Sequence, residues 1–197
     1  MNHRFQCLCG ALKGEVSNTH KAIHGVCYCK DCRTYAHHLG KSGQVLDKMN
    51  GTDVVATLSR YVAFTGGSEN LGCLSLSEKG LLRWYAKCCN TPIANTTRNW
   101  KLPYVGLVHT CLEAGAMPLE SSFPPIQMHL NVRGAKGNPP SMGFRTFVAL
   151  LGFVPRLLVA KAIGGYKHTP FFNQDGSPRV AVSVLSREER ERAMRAV

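Results

Sequence analysis

A chain of 197 residues with 44% hydrophobic residues can build one good-sized core, so it needs no disulfide staples. Twenty-four Lys and Arg against twelve Asp and Glu give a net charge of +12, which favours anionic partners. The basic residues are scattered, with no compact Lys/Arg run interleaved with aromatics, so nucleic acid is not an expected partner; a small acidic thiol or a membrane surface fits the charge equally well.

The chain opens MNHRFQCLCG, without a basic region leading into an apolar stretch, and a cytoplasmic address is the expectation. From there the first two-thirds reads as short strands: 5–7, 11–16, 22–28, 54–58, 61–65, 71–76, 81–86, 92–96, 104–110 and 126–132. Glycines punctuate these runs where turns need positive φ, and many short strands predict a sandwich or an open, barrel-like sheet. Neither a repeat nor a long Gly/Ser linker divides the chain, so residues 1–197 are expected to form a single domain.

The segment 136–141, KGNPPS, predicts a loop between this part and a helical C-terminal third. Residues 144–163 are apolar at helical spacing, which predicts a helix or kinked helix pair packed on the sheet, with membrane-surface attachment as the alternative. Arg145, Arg156 and Lys161, with Gly152 and Pro155, interrupt the run, and no transmembrane segment is expected. Ser186 and Glu189 form a capping-box pattern that opens a charged, mostly solvated helix over 187–196.

Nine cysteines, an odd number with tight spacings, point in a reducing compartment to metal binding or thiol chemistry. Cys27, Cys29 and Cys32 place three sulfurs within one short run, and one- or two-residue spacings let neighbouring thiolates face one zinc ion. Three protein ligands with an open fourth position describe a catalytic zinc. A closed structural site completed by a distant cysteine or by His24, His37 or His38 is the alternative. Cys73 and Cys111 lie in apolar strand patterns and read as core residues, as do His109 and His129; the pair His37-His38 reads as an exposed loop.

Cys7-Leu8-Cys9-Gly10, then Cys27-Tyr28-Cys29-Lys30-Asp31-Cys32-Arg33, then Arg83-Trp84-Tyr85 running into Cys89-Asn90-Thr91-Pro92, resemble the ordered motifs of the glutathione-dependent formaldehyde-activating family. The resemblance covers residues 3–135 and touches 175–189. It implies a mainly β protein of β-tent fold, with a helical C-terminal extension added here. It further implies one closed zinc and a second zinc that engages glutathione or a related small thiol.

Carried over by position, Cys7, Cys9 and Cys89 match structural-zinc ligands, and Cys27, Cys29 and Cys32 match the catalytic ones. The chain departs at position 86, where Ala86 stands in place of a ligand and Cys88 is the natural substitute. Adjacent residues in an extended chain point to opposite faces, which argues against Cys88 and Cys89 chelating one ion. Asn90 replaces a turn glycine and tolerates left-handed backbone. Lys30, Arg33 and His37 are the expected partners of the thiol's carboxylates. The implied activity is carbon-sulfur lyase chemistry; a non-catalytic zinc module binding a protein or anionic surface, and a thiol redox protein, are the other readings.

Overall fold

The computed structural model describes residues 1–115 and 118–197. Strands β1 (Asn2–Gln6), β2 (Lys13–Ser17), β3 (Ile23–Cys27), β4 (Thr52–Leu58), β5 (Val62–Gly66) and β6 (Leu71–Ser75) come first in the chain. They are followed by β7 (Leu82–Ala86), β8 (Thr91–Thr96), β9 (Tyr104–Val108), β10 (Met128–Leu130) and β11 (Val182–Val184). Two sheets result, a small one ordered β1-β2-β5 and a large one ordered β10-β3-β4-β9-β8-β7-β6-β11. Pairing is antiparallel except at the large sheet's two ends, where β10 runs parallel to β3 and β11 parallel to β6. The fold is mainly β with a helical C-terminal extension.

Alternation builds the small sheet: His3 and Phe5 of β1 and Gly14 and Val16 of β2 point inward, while their neighbours face out. In the large sheet, β6 and β8 are buried throughout, as expected of strands covered on both faces. Phe5, Val16, Trp84, Ile93 and Leu107 share one core cluster with Phe171 and Phe172 of the C-terminal segment. Trp84 is fully buried, packs against both phenylalanine rings and donates its Nε1–H to Thr96 Oγ1 at 2.9 Å. Truncating such a side chain typically costs about 3–5 kcal/mol. The C-terminal third is therefore part of the core rather than an appendage.

All ten predicted strands are present with shifted ends, and 136–142 carries no regular structure, as expected. Strand β11 and four helices were not predicted: α1 (Lys30–His38), α2 (Ser42–Val45), α3 (His109–Glu113) and α4 (Leu119–Ser122). Thus His37-His38 is the last turn of α1, not a loop, and His109 opens α3 rather than extending β9. The Cys29 sulfur caps α1 by accepting the Cys32 N–H, and Gly40, at φ 65, follows its C-cap.

Helix α5 (Gly143–Ala162) is one continuous helix despite Pro155, and α6 (Arg187–Arg195) carries the expected capping box from Ser186. By length and composition α5 is long and apolar enough to cross a membrane, contrary to the expectation that its charges and Pro155 would interrupt it too much. The reason is that only Arg145, Arg156 and Lys161 are charged, and the backbone runs through Pro155. Helix α5 packs on the sheet, with Ala149 and Phe153 against Ile23, Ala56 and Met128, but not through the larger apolar residues at helical spacing: Phe147, Leu150, Leu151, Val154, Leu158 and Ile163 are exposed.

Candidate metal centres

Cys7 and Cys9 sit in the turn between β1 and β2, held by Cys7 N–H to Leu12 O at 2.9 Å and Gly10 N–H to Cys7 O at 2.8 Å. Gly10 takes φ 75, which its missing Cβ allows without strain. Cys88 and Cys89 sit in the turn between β7 and β8, where Asn90 N–H reaches Ala86 O at 2.8 Å and Asn90 adopts φ 56. Asparagine thus fills the left-handed position as expected.

These two turns belong to different sheets, so the four sulfurs tie the small sheet to the large one rather than stapling neighbouring strands. Their separations are 3.5 Å for Cys7–Cys9, 3.7 Å for Cys7–Cys88, 3.3 Å for Cys9–Cys88 and 3.8 Å for Cys88–Cys89. Thiolates about 2.3 Å from a tetrahedral ion lie about 3.8 Å apart, so the donor set fits a metal ion. The objection to adjacent ligands fails because Cys88 and Cys89 stand in a turn, where successive side chains need not diverge. Cys88 groups with Cys7, Cys9 and Cys89, so this turn contributes two adjacent sulfurs to the set.

The second group, Cys27, Cys29 and Cys32, has all three sulfurs within 4.8 Å of one another. Strand β3 delivers Cys27, and the cap and first turn of α1 deliver Cys29 and Cys32. Among the described residues no histidine or carboxylate joins either group. His24 is engaged elsewhere: Nε2 faces Asp53 Oδ1 at 2.5 Å and Nδ1 faces the Pro124 carbonyl at 2.9 Å. Both ring nitrogens thus point at acceptors, which suits the imidazolium and leaves no lone pair for a metal. Cys73 and Cys111 are buried outside both groups, Cys111 against the Val108 carbonyl.

Donors surround the three-cysteine group. Asn131 Nδ2 reaches Cys27 Sγ at 3.6 Å, because β10 pairs with β3 and ends at the Tyr28 N–H to Leu130 O bond. Arg83, buried at 3% exposure on β7, sends Nη1 to Asn95 Oδ1 at 3.2 Å and to Cys32 Sγ at 3.9 Å. Hydrogen bonds from Cys29 and Cys32 hold the Cys27 thiol far below its ordinary value, while contact with Cys27 raises those of Cys29 and Cys32. Burial opposes ionisation of Cys89, but the Thr91 hydroxyl and Cys9 outweigh it and bring that thiol to about 6. Each group therefore contains one readily ionised sulfur, the form in which cysteine binds metals.

An open groove of about 510 Å³ runs beside Cys29, lined by Lys30, Arg33, Asn131, Arg133 and Gly134. A Cβ on Gly134 would collide with the Tyr28 carbonyl, so only glycine lets the Arg133 loop approach this closely. Arg33 Nε is buried with no hydrogen-bond partner among the described residues. Of the predicted carboxylate partners, Lys30 and Arg33 line the groove. His37 does not: α1 turns it to a separate hollow shared with His38, Glu189 and Arg192. Asn131, Arg133 and the role of Arg83 went unpredicted, although a charged residue in the middle of an apolar strand was a signal for Arg83.

No curated protein matches the chain. Among solved structures, a Rhodobacter sphaeroides protein is similar over 62% of this chain and 98% of its own, at 19% identity and a TM-score of 0.41. A family model matches residues 3–181, nearly the whole chain, and with it the protein belongs to a family of unknown function, DUF6151.

Proposed function

We propose that the protein binds two zinc ions, one closed and structural at Cys7, Cys9, Cys88 and Cys89, the other at Cys27, Cys29 and Cys32 with a position for an exogenous thiol. The carrying observation is the three-sulfur group opening beside a cationic groove. Seven thiolates with no carboxylate or histidine among them form a soft donor set, which selects zinc over magnesium, calcium or manganese. A bound zinc ion would hold an incoming thiol as its thiolate near neutral pH.

Lys30, Arg33 and Arg133 would pair with the carboxylates of glutathione or a related small acidic thiol, and the unpartnered Arg33 Nε–H would gain an acceptor. The Asn131 amide and Arg83 would keep the cysteine sulfurs oriented. The reaction supported by this arrangement, and by the resemblance to glutathione-dependent formaldehyde-activating enzymes, is reversible carbon-sulfur bond formation. The thiolate sulfur adds to an aldehyde carbon, the C=O π pair moves to oxygen, and that oxygen takes one proton. In reverse, the hydroxyl loses its proton and the C–S bond breaks to return the thiolate.

Glutathione titration by calorimetry, paired with the rate of S-hydroxymethylglutathione formation, tests this reading. Zinc-loaded protein is expected to bind glutathione and raise the rate, and Cys29→Ser to do neither. Zinc-loaded protein that neither binds glutathione nor changes the rate contradicts the reading.

A further inference from the structure

We propose that α5 seats the protein on an anionic membrane surface, lying along the headgroup region with its outer stripe in the acyl boundary. Along α5, Phe144, Phe147, Leu151, Val154 and Leu158 recur every three or four residues and are between 42% and 80% exposed. The opposite side is occupied: Ala149, Phe153 and Ala160 are buried, Thr146 Oγ1 donates to the Gln127 carbonyl at 3.1 Å, and Arg156 Nη1 donates to the Lys21 carbonyl at 2.9 Å. The helix is thus fixed to the domain by one face and shows bare hydrocarbon on the other. A contiguous stripe of large apolar side chains is not left open to water without a partner.

Charge selects that partner. Between Glu120 and Asp175 there is no acidic residue, while Arg133, Lys136, Arg145, Arg156, Lys161 and Lys167 all fall in the interval. Arg145 and Lys161, one near each end of α5, carry stems long enough to reach headgroups while the stripe is submerged. A second copy of the chain would also cover the stripe, but α5 has no acidic side chain to pair with the basic ones across a self-interface, and each protomer carries +12. A spanning orientation would require the buried face and its two hydrogen bonds to leave the sheet. An anionic lipid surface satisfies the apolar stripe and the charge together.

The test is co-sedimentation of the zinc-loaded full chain with phosphatidylcholine vesicles containing about one-third phosphatidylserine, against phosphatidylcholine alone. The expected result is binding to the anionic vesicles that is about tenfold stronger than to neutral ones and weakens with added salt. Phe147→Ser, Leu151→Ser and Leu158→Ser combined should lose about tenfold in binding with an unchanged melting temperature, since these side chains are exposed; Arg145→Glu with Lys161→Glu should abolish the preference for anionic lipid. Three results overturn the proposal. One is no binding of the wild type to anionic vesicles, with or without a dimer that the triple substitution dissolves. Another is equal binding by the triple variant, and the third is wild-type protein that resists alkaline extraction from vesicles as a spanning helix does.

Discussion

The guanidinium of Arg83 lies 3.9 Å from the sulfur of Cys32, inside the large sheet, and makes no ion pair with a carboxylate among the described residues. Burial works against this charge, but the neighbouring sulfur outweighs it and raises the Arg83 pKa. Three thiolates around a divalent ion leave one negative charge, which one arginine balances. Tyr35, whose ring the guanidinium overlies at 5.1 Å, supplies a further face for the cation.

Arg83→Met should therefore weaken zinc binding at the three-cysteine site about 10- to 100-fold, the usual effect of losing a partner behind the ligands. Competition with a chromophoric chelator measures it, and Arg83→Lys should recover part of the loss. Unchanged affinity in Arg83→Met would show that the pair is structural only.

Cys88 lies 3.7 Å from Cys7, 3.3 Å from Cys9 and 3.8 Å from Cys89, sulfur to sulfur, within the proposed closed site. Cys88→Ser should release one zinc and lower the melting temperature by roughly 10 °C, as should Cys9→Ser, because metal-binding free energy at a closed site is folding free energy. A Cys88→Ser protein that melts with the wild type would leave Cys88 outside the site.

His24 is buried against Asp53, and although burial pulls its pKa down, the Asp53 hydrogen bond and charge outweigh it and the pKa is raised. A raised folded value means that the pair's stabilisation is full below the unfolded histidine pKa, about 6.5, and is lost as pH rises through the folded value. Melting temperatures taken from about pH 6 to about pH 9 should fall more steeply for the wild type than for His24→Gln. Parallel curves would contradict this assignment.

Arg133→Ala should weaken glutathione binding about tenfold and leave the melting temperature unchanged, since Arg133 lines the groove and is a member of neither cysteine group. Full-strength binding in this variant would remove the loop after β10 from the thiol site.

The strands were legible because their apolar residues alternate or run together between glycines, and the three-cysteine group because tight spacing leaves its sulfurs few places to go; the four-cysteine group, whose two pairs lie far apart in sequence, was expected only from the resemblance. Helix α1 was hidden by its own motif: Cys29 to Arg33 reads as a metal knuckle, and its helical signals are slight, a capping sulfur, Asp31 in the first turn and Gly40 past the end. Strand β11 and the burial of Phe171 and Phe172 depend on contacts with β6 and Trp84, distant in sequence, and no local pattern announces such pairings. Arg133 enters the groove only because β10 pairs in parallel with β3, a topological fact that composition does not carry. Cys88 and Cys89 do converge with Cys7 and Cys9 as expected; only the objection that adjacent side chains diverge fails, because the pair stands in a turn rather than an extended strand.

Zinc stoichiometry by elemental analysis tests the two-site account most directly. Two zinc ions per chain are expected in the wild type and one in each of Cys29→Ser and Cys9→Ser, with only Cys9→Ser lowering the melting temperature strongly. Fewer than one zinc per wild-type chain, or a count that neither substitution changes, would contradict it.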